Sequence, residues 1–387
     1  MNINSHEDSN SLFNDFLSYS SSISYVASGA GGIGLEVLNT DNKTYNILST
    51  NNANVVCSKL FIKILPISNV EPVKQILNYS HSMRTDFIQV SVYSSSYKQF
   101  IEEVNIQNVI YKKSNYGLEP ICPPIINAQI HDNTNAKQLI DLLIEKPDNN
   151  HNFVKNGLLS MLKNKLNNTD IKIGVIAMGF TENYISLNKA LQIYKERKDF
   201  FQKLAVYELI RLYDLGYLHG DFSPANILIN PDYIYTEKNN EQDKGRAMLI
   251  DFGASFSVPA TNNNTDLSIR EKINIMLDTP VPYFNNIILR TYDRRPNNWS
   301  WLENLNNGTT LNDMPQLIDT INRYNNSMIS MIEDKYPDIY DAVRVYNNDL
   351  DYYVGGNEPT IFSSPLLTDT INNNTIKTIF FICYLSL

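Results

Sequence analysis

Asp221 and Asn226 share one short stretch, His219-Gly-Asp-Phe-Ser-Pro-Ala-Asn226, which runs on into the apolar segment ILIN. A loop of this kind can set a carboxylate beside an incoming hydroxyl while the amide ligates a hard cation through its oxygen. Asp251 ends a second apolar run, AMLI, and is followed by Phe252 and Gly253. A carboxylate at a strand end, just before a glycine, is a natural position for Mg²⁺. The chemistry these groups suit is phosphoryl transfer. That reaction needs phosphates held, charge neutralised by cations and the attacking hydroxyl oriented, with little covalent help from the protein.

Two further needs have candidates upstream. Gly29, Gly31 and Gly34 form a GxGxxG pattern between two strand-like runs, where glycines let backbone approach phosphates closely. Alone, such a cluster reads first as a plain turn. Lys63 sits inside the apolar run FIKIL, where its charge is costly to bury without an anionic partner. The bland alternative is an edge strand with Lys63 turned to solvent. Glu102 and Glu103, on a helical segment, both qualify as the partner.

The elements that must position these groups follow from the pattern of the chain. ISYVASGAGGIGLEVLNT predicts two strands around the glycines, and VVCSKLFIKILPI predicts a third, with DNKTYNILSTNNAN as a polar connection between them. SSSYKQFIEEVNIQNVIYKK predicts a helix opening on serines that can cap it. PPIINAQI and IKIGVIAMGF read as buried strands around a helical segment at 136–165. In ERKDFFQKLAVYELIRLYDLG, Phe201, Leu204, Ala205, Leu209 and Leu212 share one helical face, and Gly216 suits the C-terminal cap. The expectation is an α+β chain: a tail at 1–20, a β-rich lobe at 21–182 with insertions at 66–98 and 133–169, and a helical lobe at 183–387.

The totals narrow the classes. With 387 residues, 43% hydrophobic and 19% charged, the chain can bury a sizeable core. A net charge of −9 argues against nucleic acid as a partner, because phosphate-backbone affinity needs a basic face. Cys57, Cys122 and Cys383 are odd in number and widely spaced, so neither a disulfide framework nor a CxxC metal site follows. The start lacks the build of a signal peptide. The apolar end, IFFICYLSL, is well short of the ~20 residues that cross a bilayer. It is expected to be a buried or partner-facing element, in an intracellular, cytoplasmic protein without a membrane span.

Taken in order, these segments resemble the protein kinase-like superfamily. The resemblance rests on GAGGIG, FIKIL, FIEEV, HGDFSPANILI and IDFG, and covers residues 23–257 with insertions at 66–98, 133–169 and 231–246. It implies a two-lobed fold with ATP in the cleft and its adenine on a linker near 178–181. It implies that Lys63 holds the α- and β-phosphates, that Asp221 accepts or orients the substrate hydroxyl, and that Asn226 and Asp251 bind Mg²⁺ or Mn²⁺. His219 and Phe252 become packing residues. The F-x-x-E spacing from Phe100 favours Glu103 as the partner of Lys63; Glu102 would put Ile106, rather than Gln107, one turn later.

The departures carry information too. Gly220 stands where an arginine precedes the aspartate in kinases controlled by a phosphorylated activation loop, and Ser223 where protein Ser/Thr kinases usually carry lysine. No Ala-Pro-Glu follows Asp251; DTPVPYF is the nearest substitute for the end of that segment. The leading expectation is a Mg-ATP-dependent serine/threonine protein kinase with a protein substrate. A small-molecule kinase of the same fold, acting on an amino alcohol or sugar, is the second, and a pseudokinase scaffold the third.

Overall fold

The computed structural model describes residue 17 and residues 20–29, 32–46, 54–68, 75–82, 87–114, 120–148, 153–167, 170–179, 183–234, 244–258, 267–281 and 299–335. The chain divides into two units. The first comprises Met1–Asn108 with Pro124–Phe180, and the second Val109–Pro123 with Thr181–Leu387. The first is rich in strands and the second mostly helical, an α+β arrangement.

In the first unit, β1 (Ser20–Gly29), β2 (Gly32–Asn46) and β3 (Asn54–Ser68) form an antiparallel meander. Ile33, Leu35 and Val37 alternate inward along β2, as do Leu60, Ile62 and Ile64 along β3, and all six are fully buried. Of the stretch expected as a polar connection, 41–54, residues 41–46 and 54 are instead strand, and 47–53 lie outside the described residues. Lys43 to Asn46 pair with Cys57 to Asn54, after a register shift beyond Leu38. A partner strand satisfies this backbone, and that outweighs the polar character of the local sequence.

A hairpin of β4 (Gln75–Ser82) and β5 (Phe87–Tyr93) follows, then helix α1 (Tyr97–Lys113). Ser96 caps α1. Its hydroxyl accepts from the Gln99 amide at 3.1 Å, and the Gln99 side chain accepts from the Ser96 amide at 2.8 Å. Strand β6 (Ile125–His131) leads to α2 (Asn133–Glu145), α3 (Phe153–Lys165) and β7 (Ile171–Gly179). The expected segment at 136–165 is thus two helices. The break coincides with Pro147, which removes a donor and biases Lys146 to the extended conformation it adopts. The two insertions meet where Gly157 of α3 lies against the Tyr79 ring of β4, so close that a Cβ would sit 2.6 Å from its hydroxyl.

The five strands order as β1-β2-β3-β7-β6, all antiparallel. Strand β3 is therefore central, so the edge-strand alternative for Lys63 is excluded. Phe100 and Val104 of α1 pack on one face of this sheet with Leu65, Ile67, Ile125, Ile176 and Met178.

The second unit opens with β8 (Ile185–Ser186), α4 (Leu187–Ile193) and α5 (Lys198–Asp214). The residues expected on one face of α5 are buried, but so are Val206, Tyr207, Glu208, Ile210 and Tyr213. The helix is enclosed nearly all round and makes the centre of this unit. It ends at Gly216, whose φ of +85° closes the last turn. Strands β9 (Tyr217–Leu218), β10 (Ile227–Ile234), β11 (Lys244–Leu249) and β12 (Phe256–Ser257) follow, giving a β11-β10-β8 sheet and a β12–β9 pair. The expected surface insertion at 231–246 is ordered strand at both ends. Pro231 and Tyr233 are buried, and the Arg246 guanidinium lies 5.2 Å from the Tyr233 ring centroid.

Among the described residues, three further helices follow in this unit: α6 (Ile269–Asp278), α7 (Ser300–Asn307) and α8 (Met314–Lys335). Ser268 and Glu271 form a capping box on α6. Arg270 of α6 donates to the carbonyls of Asn306 and Gly308 and to the Asn312 side chain, which fixes α7 against α6. Among the described residues no helix is long and apolar enough to cross a membrane. The expected tail at 1–20, apart from residues 17 and 20, and the apolar end at 379–387 lie outside the described residues.

Candidate functional site

Two groups of candidate residues take shape, one in each unit. In the first, Lys63 of β3 lies opposite Gly34 on β2 and Ile176 on β7. Its side chain shares a sheet face with Phe61 and Leu65, the face that α1 covers. Helix α1 buries Phe100, Glu103, Val104 and Gln107 at the i, i+3, i+4, i+7 spacing of one stripe. Glu103 therefore points at the sheet, and its Oε1 accepts from Lys63 Nζ at 2.5 Å. Lys63 and Glu103 are 8% and 4% exposed, so each charge is compensated chiefly by the other. Glu102 faces away and pairs with Lys98 one turn earlier, at 3.6 Å. Of the two glutamates left open by the sequence, Glu103 is the partner.

The glycines divide in role. Gly29 pairs with Gly32 at the end of the β1–β2 hairpin, while Gly31 lies outside the described residues. A Cβ at Gly34 would meet the Phe61 ring at 2.6 Å, so this glycine is needed for cross-strand packing whatever else it does. Gly32, not among the residues expected at a phosphate site, has φ +149° and would place a Cβ 2.6 Å from the Ile64 carbonyl oxygen.

In the second unit the loop after β9 holds Asp221 firmly. Asp221 Oδ1 accepts from the Ser223 amide at 3.1 Å and from Trp299 Nε1 at 3.3 Å; Oδ2 accepts from Asn226 Nδ2 at 2.9 Å. Ser223 also caps the short turn Pro224–Asn226 through the Ala225 amide. The Asn226 carbonyl accepts from the Ile250 amide at 2.9 Å, tying the loop to the segment that carries Asp251. Asp251 itself takes a left-handed conformation, φ 63° and ψ 71°, at the end of the run after β11. A non-glycine residue held there stores strain that the surroundings must sustain, a feature common at functional turns.

His219 and Phe252 sit behind this loop, each 1% exposed, with ring centroids 5.2 Å apart. His219 Nε2 lies 2.9 Å from the Ile250 carbonyl oxygen, and its Nδ1 lies 3.4 Å from the Asp221 amide. That arrangement suits one neutral tautomer, Nε2–H donating and Nδ1 accepting. Burial pushes the His219 pKa below its usual value and outweighs the nearby carboxylates of Asp221 and Asp251, which push it up. Gly220, at φ +76°, has no room for a side chain: a Cβ would come 2.1 Å from the Ala254 carbonyl oxygen.

The residues fit a hard divalent cation. The Asn226 amide nitrogen is committed to Asp221, which leaves its oxygen as the atom for a metal, and Asp251 adds a carboxylate. Among the described residues no cluster of three or more His, Cys, Asp or Glu side chains is built to cage a metal. An amide and a carboxylate suit an ion that completes its shell with water and substrate phosphates, as Mg²⁺ does.

Trp299 and Trp301, at the start of α7, contact this loop and carry no sequence signal that assigns them to it. They are the only tryptophans of the chain, and both donate to its centre: Trp299 to the Asp221 carboxylate, Trp301 to the Phe222 carbonyl at 2.7 Å. Ser255 is a third such residue, donating to the His219 carbonyl at 2.8 Å. Of the linker expected near an adenine, 178–181, residues 178 and 179 end β7 while 180 and 181 lie outside the described residues, as do residues 282–284 of DTPVPYF.

Compared with models of known protein families and with curated proteins, the chain matches none.

Proposed function

We propose that this chain is an ATP-dependent phosphotransferase of protein kinase-like fold that moves the γ-phosphate of Mg-ATP to a hydroxyl, foremost a serine or threonine of a protein. The observation that carries this reading is the grip of Asn226 on Asp221. Their 2.9 Å hydrogen bond holds a carboxylate for a hydroxyl and leaves an amide oxygen for a cation.

In this reading Lys63, oriented by Glu103, holds the α- and β-phosphates. Asn226 and Asp251 hold Mg²⁺ through oxygen; when bound, the ion neutralises charge on the phosphoryl group in transfer. Asp221 orients the attacking hydroxyl and takes its proton. His219 stays neutral and aligns the loop through the Asp221 amide and the Ile250 carbonyl.

A second reading, transfer to a small alcohol such as an amino alcohol or sugar, is favoured by Gly220 and Ser223. The Ala254 carbonyl denies position 220 any side chain, so no arginine can stand there to receive a phosphorylated activation loop. Ser223 spends its hydroxyl on the Ala225 amide, where a protein kinase would present lysine. A pseudokinase reading draws no support from the loops, since Lys63, Asp221, Asn226 and Asp251 are all present.

The deciding experiment follows labelled γ-phosphate from Mg-ATP with wild type and Asp221→Asn side by side, generic protein substrates present. Label on protein that the variant abolishes is the expected result. ATP consumed only with small alcohols selects the second reading. Neither label nor consumption by the wild type overturns both.

A further inference from the structure

Resting on the phosphotransferase reading, we propose that Trp299 is a positioning residue which closes one oxygen of Asp221 and reserves the other for the substrate hydroxyl. A carboxylate oxygen offers two good acceptor directions. Oδ1 spends both, on the Ser223 amide and the Trp299 indole, whereas Oδ2 accepts only from Asn226 among the described residues. The direction left open is on Oδ2, the oxygen beside the amide proposed to ligate Mg²⁺.

The support behind Trp299 is that of a fixed part rather than a gate. The residue is 6% exposed and its ring meets the buried Phe222 ring edge-on, with centroids 4.9 Å apart. Two residues on, Trp301 Nε1 fastens the Phe222 carbonyl, so the start of α7 grips consecutive loop residues, one by side chain and one by backbone. Leu302 and Leu305 anchor α7 from its buried side, and Asn306 bonds Asn274 of α6 at 2.7 Å. In the transfer step the hydroxyl oxygen bonds to the γ-phosphorus as the bond from that phosphorus to the β–γ bridging oxygen breaks. The hydroxyl proton passes to Oδ2, and ADP departs with the electron pair of the broken bond.

Two measurements on the full chain test this. With ¹⁵N-labelled tryptophan the protein shows two indole N–H signals, and Trp299→Phe assigns them. Asp221→Ala removes the acceptor of Trp299 and leaves the Phe222 carbonyl that Trp301 uses; the Trp299 signal is expected to move and the Trp301 signal to stay. Equal movement of both, or none, overturns the contact. In kinetics, Trp299→Phe keeps an aromatic ring on Phe222 and loses the donor. Its kcat is expected to fall about tenfold, the scale of one hydrogen bond expressed in the transition state, with the KM for ATP unchanged. An unchanged kcat overturns the positioning role, as does a fall explained wholly by KM. If the wild type transfers no phosphate, the phosphotransferase reading has failed, and the indole signals still decide whether Trp299 grips Asp221.

Discussion

Lys63 Nζ and Glu103 Oε1 lie 2.5 Å apart, between the face of a central strand and a buried helix stripe of Phe100, Glu103, Val104 and Gln107. A pair so buried contributes little net stability, yet loss of one partner takes from the other charge its contact at 2.5 Å, at a cost of about 3–5 kcal/mol. Lys63→Met is therefore expected to lower the melting temperature sharply and to abolish transfer. The double variant Lys63→Met with Glu103→Leu is expected to recover most of the melting temperature and none of the transfer. Thermal unfolding beside phosphate labelling separates the two effects; recovered transfer in the double variant would remove Lys63 from the chemistry.

Asn226 serves two partners in this reading, the Asp221 carboxylate through nitrogen and a cation through oxygen. Asn226→Ala is expected to reduce transfer by about 10² or more and to raise the Mg²⁺ concentration needed for half-maximal rate. Asp221→Asn keeps the size of the side chain, although its NH2 must face one of the donors that the carboxylate accepts, and it is expected to leave that Mg²⁺ requirement in place for whatever activity persists. A Mg²⁺ titration of both variants checks this, and identical curves would count against Asn226 as a ligand.

What could be read from the sequence follows the distance over which each interaction acts. Asp221 and Asn226 are neighbours on one loop, so their chemistry showed in a single phrase. Trp299 reaches Asp221 across 78 residues, and no local pattern tells a tryptophan which loop it will face. The strand extension beyond Thr40 is hidden for the same reason, since the partners of Lys43 to Asn46 are residues 54–57 and its own composition is polar. The all-round burial of α5 escaped a one-face pattern because Tyr207, Glu208 and Tyr213 look solvent-ready until their neighbours are known.

Gly220 and Gly216 both have positive φ, +76° and +85°, but differ in their surroundings. At Gly216 a Cβ would meet nothing within 4 Å, so Gly216→Ala is expected to cost only the conformational penalty, about 1 kcal/mol. At Gly220 the Ala254 carbonyl oxygen would lie 2.1 Å from the Cβ, and the loop before Asp221 must move. Gly220→Ala is expected to cost about 3 kcal/mol or more and to impair transfer even where the chain stays folded. Urea unfolding of the two variants compares the costs directly; equal losses would show that backbone conformation alone matters at position 220.

His219 links the fold to pH. Burial lowers its pKa from the usual 6.5, so near that value the unfolded chain binds a proton that the folded chain refuses. Stability from this group is complete above pH 6.5 and declines as the pH falls below that value toward the lower pKa of the folded state. His131, also lowered by burial, acts in the same direction in the other unit. The unfolding free energy is therefore expected to drop between pH 7.5 and 5.5, and the drop to be smaller in His219→Phe. That variant also loses the bond to the Ile250 carbonyl, so it starts less stable at pH 7.5 and differs from wild type most at that end. Urea titrations at the two pH values give the slope, and an undiminished slope in His219→Phe would mean that His219 is not the residue that refuses the proton.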